Sequence, residues 1–411
     1  MSVDWEAVRG EFPALRSWTY LNTATFGQLP RSSTEAVARH FARRDEMACW
    51  DFLSWYDDME RVRQKAASLV HCRSDDIAFI ANASSALGIL LAGLDWRPGD
   101  RILTLEHEFP NNLYAPGLLD RLGVAMVECS WERFYDSVDA RTRLVAISSV
   151  NYNTGFTPPL AEIAKFLRER GVLLYIDGTQ SVGALQFDVR RIQPDMLAVH
   201  AYKWLISPNG AGFMYVSPQL REQLRPNVLG WRSHRDWRNV DNLHHGVPDL
   251  PESAEKYEGG SVTFAVIYAM EAAIDLILEI GPDVIEQRVL SLAEKTREIV
   301  RRHGARVDLC GSPIVAARFE NRDVSALAKA LKEQRVLVAA RRGHLRVSPH
   351  FYNNEQDLET FADALGKLLQ STNVWQKALP VPTHRGPRGS SRNTSTPLKK
   401  GPKNRFYTSP L

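Results

Sequence analysis

The 411-residue sequence has few cysteines and no long hydrophobic run, and each absence excludes a class of protein. Its four cysteines form neither a CxxC pair nor an evenly spaced set, so we predict neither a disulfide framework nor a zinc site. The most apolar late segment, 266–280, carries the acids Glu271 and Asp275 among others and is too short to span a bilayer. Residues 1–25 lack the basic start and apolar core of a signal peptide. We therefore expect a cytoplasmic protein with free thiols, no metal site and no membrane partner.

The sequence also lacks a GxGxxG motif at the start of any predicted helix, which argues against a Rossmann-type dinucleotide site. What it contains instead is an alternation of apolar runs and helical periods. The apolar runs predict seven strands, at 77–81, 101–105, 124–128, 143–149, 172–177, 195–199 and 212–216. Helical stretches, notably 84–94 and 159–170, separate most of them, and a glycine turn joins the last two. This alternation predicts an α/β fold with a mostly parallel seven-stranded sheet flanked by helices.

The remaining segments predict a small C-terminal α+β domain and an N-terminal extension. Residues 1–17 have the spacing of a short amphipathic helix. Later elements are predicted as helices at 265–280, 283–303, 323–334 and 354–370 and strands at 314–319, 336–340 and 344–348. We divide the chain into an N-terminal segment packing with the small domain (1–35), a large domain (36–260), the small domain (261–370) and a disordered basic tail (371–411).

The net charge of +3 comes from that tail. Residues 371–411 hold eight of the 51 Lys and Arg and none of the 48 Asp and Glu, so the rest of the chain carries about −5. Basic tails bind phosphate backbones without sequence preference. No helix-turn-helix pattern or recognition helix accompanies this one, so nucleic acid is not an expected partner.

The ends of two predicted strands carry side chains that can take part in catalysis. The run VLLYI ends in Asp177, and the run MLAV is followed by His200, Tyr202 and Lys203. Ligands of parallel sheets bind beyond the carboxyl ends of the strands, so an acid and a lysine should meet at one rim. Pyridoxal 5'-phosphate (PLP) uses such a pair, because a lysine forms the Schiff base and an acid keeps the ring nitrogen protonated. The competing interpretation of these two residues is an aspartate that bonds a helix N-terminus and a surface lysine.

The neighbouring residues favour the cofactor interpretation. DGTQSVG at 177–183, followed by HAYKWL at 200–205, resembles the class V aminotransferase family of fold-type-I PLP-dependent enzymes. That family includes cysteine desulfurases, kynureninases and isopenicillin N epimerase-like proteins, and the resemblance covers roughly residues 18–370. It implies that Lys203 carries the Schiff base, that Asp177 pairs with the ring nitrogen and that Gln180 contacts the ring hydroxyl.

The resemblance also implies a set of phosphate contacts. Ser84 and Ser85 of NASSALG fall on the phosphate loop, where a helix N-terminus suits a dianion. Tyr202 resembles the tyrosine that bonds the phosphate in kynureninases, and His200 is a second candidate for the same group. Trp231 of LGWRSH again resembles the kynureninase-like branch, in which a tryptophan supports the phosphate.

Two further loops are implied to contact the cofactor ring. In EHEFPNN, the register of the family puts Phe109 on the stacking position, whereas His107 falls two residues early. In SSVNYNTG, Asn151 is the candidate beside the ring hydroxyl, although the neighbouring Asn153 could serve.

The last implied contacts concern the partner subunit and the substrate. EGGSVTF matches a loop that family members send across a dimer interface, which implies a homodimer with Ser261 on the partner's phosphate. Arg346 of LRVSPHFYN is implied to bind the α-carboxylate, since the planar guanidinium suits a carboxylate bidentately. Asn22 lies on an N-terminal loop that, in the family, borders the substrate.

Desulfurases carry a nucleophilic cysteine about fifteen residues before the arginine that corresponds to Arg346. Residues 331–342 contain none and Cys310 is too early, so a persulfide-forming desulfurase is not expected.

These expectations together predict a homodimeric PLP enzyme that acts on an amino acid. Lys203 would be displaced by the substrate amine and would then move the Cα proton. Transamination, epimerisation and loss of a side-chain leaving group remain open outcomes of that step. The alternative function is a PLP-fold regulatory protein that senses a ligand and binds nucleic acid through its basic tail.

Overall fold

The computed structural model describes residues 3–308 and 311–371; Cys310 and the predicted tail after Ser371 lie outside the described residues. The strands are β1 (Thr19–Tyr20), β2 (Ile77–Ile80), β3 (Arg101–Leu105), β4 (Ala125–Cys129), β5 (Thr142–Ser148), β6 (Leu173–Asp177), β7 (Met196–His200), β8 (Gly212–Val216), β9 (Val315–Ala317), β10 (Val336–Leu337), β11 (Ala339–Arg341) and β12 (His344–Val347). The α-helices are α1 (Trp5–Gly10), α2 (Arg31–Met47), α3 (Phe52–Val70), α4 (Ala83–Gly93), α5 (Asn111–Gly117), α6 (Phe134–Ser137), α7 (Leu160–Arg168), α8 (Val189–Ile192), α9 (Pro218–Gln223), α10 (Phe264–Ile280), α11 (Pro282–Arg302), α12 (Val324–Glu333) and α13 (Glu355–Gln370).

Seven of the strands form the central sheet, in the order β2-β8-β7-β6-β5-β3-β4. The pairs from β7 through β4 are parallel, and β8 runs antiparallel to both of its neighbours. This arrangement confirms the predicted α/β fold with a mostly parallel seven-stranded sheet. The antiparallel β7–β8 pair also agrees with the predicted glycine turn between the last two strands.

The apolar runs of the central strands reflect burial on both faces of the sheet. Along β6, Leu174 and Ile176 join the hydrophobic cluster on one side, whereas Tyr175 joins the cluster on the other side. A strand that is buried on both faces has no polar alternation, which is why VLLYI predicts a parallel strand. Helix α10 adds Ile267 and Met270 to the first of these clusters. Within the described ranges, no helix is long and apolar enough to cross a bilayer.

The C-terminal segment contains a second, smaller sheet. Strands β11, β12 and β9 form an antiparallel sheet in that order, and a third hydrophobic cluster lies beneath it. The predicted strand 336–340 is in fact two strands, because β10 pairs with β1 whereas β11 pairs with β12. The predicted helix over 1–17 ends early, since Pro13 begins a short 3-10 turn. The domain boundaries at 35, 260 and 370 stay a prediction.

Candidate active site

The candidate site lies at the carboxyl ends of β5, β6 and β7. Ser148 ends β5, Asp177 ends β6 and His200 ends β7, and the strand register sets Ser148 beside Asp177. Parallel neighbours deliver their last residues to the same rim of the sheet. Lys203 follows three residues after the end of β7, so the chain brings the predicted acid and lysine to one pocket.

Lys203 lies on a tightly packed loop between β7 and β8. Its side chain is only 7% exposed. Gly27 packs against this loop so closely that a Cβ atom there would lie 1.9 Å from the Lys203 carbonyl oxygen, so a side chain could not be accommodated. Ile206, fully buried, adopts a φ of 47°, a left-handed conformation that is unfavourable for a β-branched residue. The surrounding fold therefore holds this loop in one conformation.

Burial sets the charge state of the Lys203 amine. Removal from water lowers the pKa of Lys203 to about 8, because the charged form loses hydration. Asp177 opposes this shift, and the guanidinium groups of Arg346 and Arg341 reinforce it. The amine therefore gains and loses its proton close to neutral pH, as a residue that exchanges protons with a substrate requires.

Asp177 is also buried, at 7% exposure, and one carboxylate oxygen accepts a hydrogen bond from the Thr179 amide at 2.9 Å. Burial raises the pKa of Asp177, while the bonds to Thr179 and the charge of Lys203 act in the opposite direction. The Thr179 hydroxyl in turn accepts a hydrogen bond from the His200 amide at 3.2 Å. Thr179 was not predicted as a site residue, although it belongs to the DGTQ motif that marks Asp177.

An aromatic wall faces the lysine. The Nζ atom of Lys203 lies 5.4 Å from the centroid of the Phe109 ring, and Phe109 meets the Tyr152 ring edge-on at 5.2 Å. Both aromatic residues line the pocket. His107 is directed elsewhere, since its Nδ1 atom lies 3.1 Å from Nη1 of Arg342. Phe109, rather than His107, therefore lines the pocket beside Lys203, and its stacking on a cofactor ring stays a prediction.

The start of α4 forms another wall of the pocket. The side chain of Asn82 caps this helix by accepting a hydrogen bond from the Ser85 amide at 2.9 Å. Ser84 lines the pocket and its hydroxyl bonds the side chain of Asn111. Ser85 is not among the pocket-lining residues, and its hydroxyl lies 3.2 Å from the same Asn82 oxygen. Of the two predicted serines, Ser84 is the one that lines the same pocket as Lys203 and Asp177.

The predicted contact of Asn151, or of Asn153, with a ring hydroxyl stays a prediction. Asn151 does not line the pocket, because its side chain bonds the His107 carbonyl and the backbone amides of Asn153 and Thr154. Asn153 does not line the pocket either. An asparagine whose side chain bonds the backbone two residues on is typical of a tight turn, and sequence spacing cannot distinguish that use from ligand contact.

Gln180 lines the pocket, but its amide also ties two loops together. Its Nε2 atom donates to the Ala24 carbonyl at 3.0 Å, and its Oε1 atom accepts from the Trp204 indole at 2.8 Å. The side chain is therefore held in place by both neighbouring loops. Its contact with a ring hydroxyl stays a prediction.

His200 and Tyr202 both line the pocket, with their ring centroids 4.2 Å apart. Burial lowers the pKa of His200 to about 4, so the imidazole is neutral at physiological pH. The buried Nε2 atom of His200 has no hydrogen-bond partner among the described residues. Buried polar atoms normally have partners, so this atom is available to a ligand.

Trp231 and Ser261 lie together, but neither lines this pocket. The indole nitrogen of Trp231 and the hydroxyl of Tyr56 lie 3.3 and 3.4 Å from the Ser261 hydroxyl. A buried ion-pair network holds the two segments, since Glu258 bonds both Arg63 and Arg232 at 2.6 and 2.7 Å. Sequence patterns do not identify this network, because its members, from Arg63 to Glu258, lie 195 residues apart without a recognisable motif.

Arg346 lies on β12 and is 2% exposed. Its guanidinium donates to the Tyr152 carbonyl at 2.6 Å and to the Thr25 hydroxyl, while its Nε atom is buried without a partner in the described part of the chain. Thr25 also bonds the side chain of Asn22 at 2.8 Å, so the predicted Asn22 lies next to this arginine. Burial, reinforced by Arg341, lowers the pKa of Arg346 to about 9.

The arrangement fits PLP. The pocket presents a buried lysine, a buried carboxylate that a protonated ring nitrogen would neutralise, and a flat aromatic wall. Unpartnered buried polar atoms at Asn111 and His200 lie at the same rim, and polar groups of that kind suit a phosphate. In the described ranges, no cluster of three or more His, Cys, Asp or Glu side chains could hold a metal ion.

One buried acid at this rim was not predicted. Glu108 is 2% exposed, and its carboxylate accepts hydrogen bonds from the Ser148 amide at 2.7 Å and from the Ser148 hydroxyl at 2.5 Å. Burial raises the pKa of Glu108. By tying the start of the Phe109 loop to the end of β5, Glu108 fixes the aromatic wall. Only the register of the folded sheet reveals this contact.

Comparison with known proteins assigns the family. The sequence model of the family Aminotransferase class-V matches residues 52–361. A probable cysteine desulfurase from Methanothermobacter thermautotrophicus is 27% identical over 88% of this chain and 98% of its own length. Isopenicillin N epimerase from Streptomyces clavuligerus is 25% identical over 89% of this chain and 98% of its own.

Solved structures share the fold. A mutant of C-DES with glycine covalently linked to its PLP cofactor superposes with a TM-score of 0.81 at 22% identity, over 87% of this chain and 98% of that one. The cysteine desulfurase of Thermococcus onnurineus gives a TM-score of 0.77 at 21% identity, over 90% of this chain and 99% of that one. The family match covers most of the chain and includes both Asp177 and Lys203. The protein therefore belongs to the aminotransferase class-V family of PLP-dependent enzymes.

Proposed function

We propose that this enzyme acts on an α-amino acid, which Arg346 binds by its carboxylate while Lys203 removes the Cα proton. The observation that carries this proposal is the buried pair of Lys203 and Asp177 in one pocket, with Arg346 close enough to lower the pKa of the lysine. An acid and a base in one pocket, with a cationic anchor that bonds the carbonyl of the pocket residue Tyr152, match the needs of an amino acid substrate.

The cofactor, when bound, supplies an electron sink that stabilises negative charge at the substrate Cα. Asp177 holds a proton on the ring nitrogen, since a buried carboxylate strongly favours a cationic partner. Phe109 orients the flat ring, and Ser84 at the start of α4 contributes to phosphate binding. Lys203, with a pKa of about 8, accepts and returns the Cα proton at close to neutral pH.

Arg346 supports the choice of an amino acid over an amine. None of the ion pairs between described residues involves Arg346, although its guanidinium is almost fully buried. A buried cation without an anionic partner is unfavourable in the free protein. A substrate carboxylate would provide that partner, with the unpartnered Nε atom as one donor.

For the product of the reaction we propose a set of outcomes rather than a single one. Loss of the Cα proton can lead to transamination, to epimerisation or to elimination of a side-chain leaving group, and the relatives include probable cysteine desulfurases and isopenicillin N epimerases. Residues 331–342 contain no cysteine, and no cysteine among the described residues lines the pocket around Lys203. We therefore propose that any side-chain elimination proceeds without an enzyme thiol.

The proposed enzyme is a homodimer. Trp231 and Ser261 bond each other but do not reach the pocket of their own chain. If Ser261 contacts the phosphate in the partner subunit, Trp231 accompanies it, because the two side chains lie 3.3 Å apart. A network of two arginines and Glu258 holds both segments in place for this contact.

The test combines cofactor trapping with a substrate panel. Borohydride reduction of the purified protein should fix the cofactor on a peptide that contains Lys203, and Lys203→Ala should abolish that adduct. The rate of Cα-proton exchange in deuterated buffer, measured with unreduced enzyme for a panel of amino acids and their decarboxylated amines, then identifies the substrate class. A labelled peptide with a different lysine, or equal exchange of amines and amino acids, would refute the proposal.

A further inference from the structure

The small antiparallel sheet presents a basic face. Arg346 pairs with Ala339 across β11 and β12, and Arg341 pairs with His344, so these side chains share one face of the sheet. Leu345 and Val347, which alternate with them on β12, belong to the hydrophobic cluster on the other face. The face that carries Arg346 therefore also carries Arg341, at a diagonal position roughly 7–8 Å away between Cα atoms.

Arg341 has no acidic partner in the described part of the chain. Its Nη1 atom donates to the carbonyl of the adjacent Ala340, and it forms no ion pair with a carboxylate among residues 3–308 and 311–371. The strands β9, β11 and β12 place no acid on this face. The side chain is half-buried, so part of its hydration is already lost.

The hairpin that carries Arg341 borders the active site. Arg342, the next residue, contacts His107 on the loop that holds Phe109, at 3.1 Å. The positive charge of Arg341 lowers the pKa of both Lys203 and Arg346, and among the charged neighbours of Arg346 it has the largest effect. Two guanidinium groups on one face of the small sheet thus act on the charge of Lys203, whereas Asp177 is the one acid among the described residues that line the pocket.

We propose that Arg341 forms a second anion subsite beside Arg346, so that the substrate is an α-amino acid whose side chain carries its own carboxylate. The inference rests on the proposed function, because it assigns the α-carboxylate to Arg346. A single α-carboxylate can be bidentate with one guanidinium only, which leaves the charge of Arg341 unmatched. A second carboxylate on the substrate side chain neutralises it.

The kinetic test compares acids with their amide isosteres. We expect the holoenzyme to prefer aspartate over asparagine, or glutamate over glutamine, depending on the length that the subsite accepts. Arg341→Gln should lower kcat/KM for the acid by about 10- to 100-fold, the range for loss of a charge-assisted hydrogen bond, and should leave the amide unchanged. Arg341→Lys should recover part of the loss, because it keeps the charge without the planar fork. Arg306→Gln, at an exposed arginine of the same C-terminal segment that pairs with Glu320, is the matched control and should behave like the wild type.

A binding measurement separates this inference from the proposed function. Calorimetric titration of the holoenzyme with glutarate and with butyrate compares a dicarboxylate with a monocarboxylate. Tighter binding of glutarate than of butyrate, lost in Arg341→Gln, supports the subsite even if none of the tested amino acids reacts. A lack of reaction with every amino acid would count against the proposed function alone. Equal binding of the two compounds, a wild-type preference for the amides, or an equal loss in Arg341→Gln for acid and amide substrates would overturn the inference.

Discussion

Replacement of Arg346 by alanine tests whether this buried cation binds the substrate carboxylate. The side chain is 2% exposed, and its two terminal nitrogens already bond Tyr152 and Thr25, whereas Nε has no partner within the described residues. A carboxylate that approaches from the pocket would gain a new bond at Nε. A second bond, at a terminal nitrogen, would replace the existing bond to Thr25.

The expected magnitude follows from those two bonds. A hydrogen bond between charged groups at Nε contributes about 1.5–3 kcal/mol, and the exchange at the terminal nitrogen adds about 0.5–1 kcal/mol. The sum of about 2–4 kcal/mol corresponds to a loss of about 30- to 900-fold in kcat/KM for Arg346→Ala. Arg346→Lys should recover only part of this, since lysine keeps the charge but loses the fork.

The assay compares each amino acid with the amine that lacks its carboxylate. The amine should be a poor substrate of the wild type and should be insensitive to Arg346→Ala. Loss of the substrate carboxylate and loss of the arginine side chain should therefore be strongly coupled in a double-mutant cycle. Arg306→Ala controls for the removal of an exposed arginine from the same C-terminal segment. If Arg346→Ala affects amino acids and amines equally, the arginine is structural and the carboxylate is held elsewhere.

Three further predictions concern the cofactor side of the site. Asp177→Asn should retain PLP but lose about 100-fold or more in kcat, because a neutral amide cannot hold the proton on the ring nitrogen; a rate near that of the wild type would exclude this role. In the cofactor-free protein, acylation of Lys203 should rise with pH through a midpoint of about 8, as the amine loses its proton, and Asp177→Asn should lower the midpoint because the carboxylate raises it. A midpoint near the pKa of free lysine would refute the lowering of the Lys203 pKa by burial. Ser261→Ala should weaken PLP binding by about 3- to 10-fold in an absorbance titration, and dilution that dissociates the dimer should weaken it further; a monomer that binds PLP equally well would contradict the contact in trans.

The sequence alone determined much of the central sheet and its cofactor. Apolar runs of this length without polar alternation are typical of strands buried on both faces, and the residues at the ends of parallel strands share one rim. That physical constraint is enough to place Asp177 and Lys203 at one site, and the family match confirms the class V resemblance and the PLP cofactor. The choice of Phe109 over His107 also followed from motif register, and in the structure Phe109 lines the pocket.

Tertiary structure decided which polar side chains are free to bind a ligand. An asparagine such as Asn151 has the same sequence context whether it contacts a cofactor or closes its own turn, and only the folded backbone shows that its amide is already bonded. Contacts between distant segments, such as Glu108 with Ser148, depend on sheet register and loop packing rather than on local pattern. The same holds for Arg346 and Arg341, which form no ion pair with any of the described residues. Whether a cation has an acidic partner depends on every element packed around it, so this could be recognised only in the folded chain.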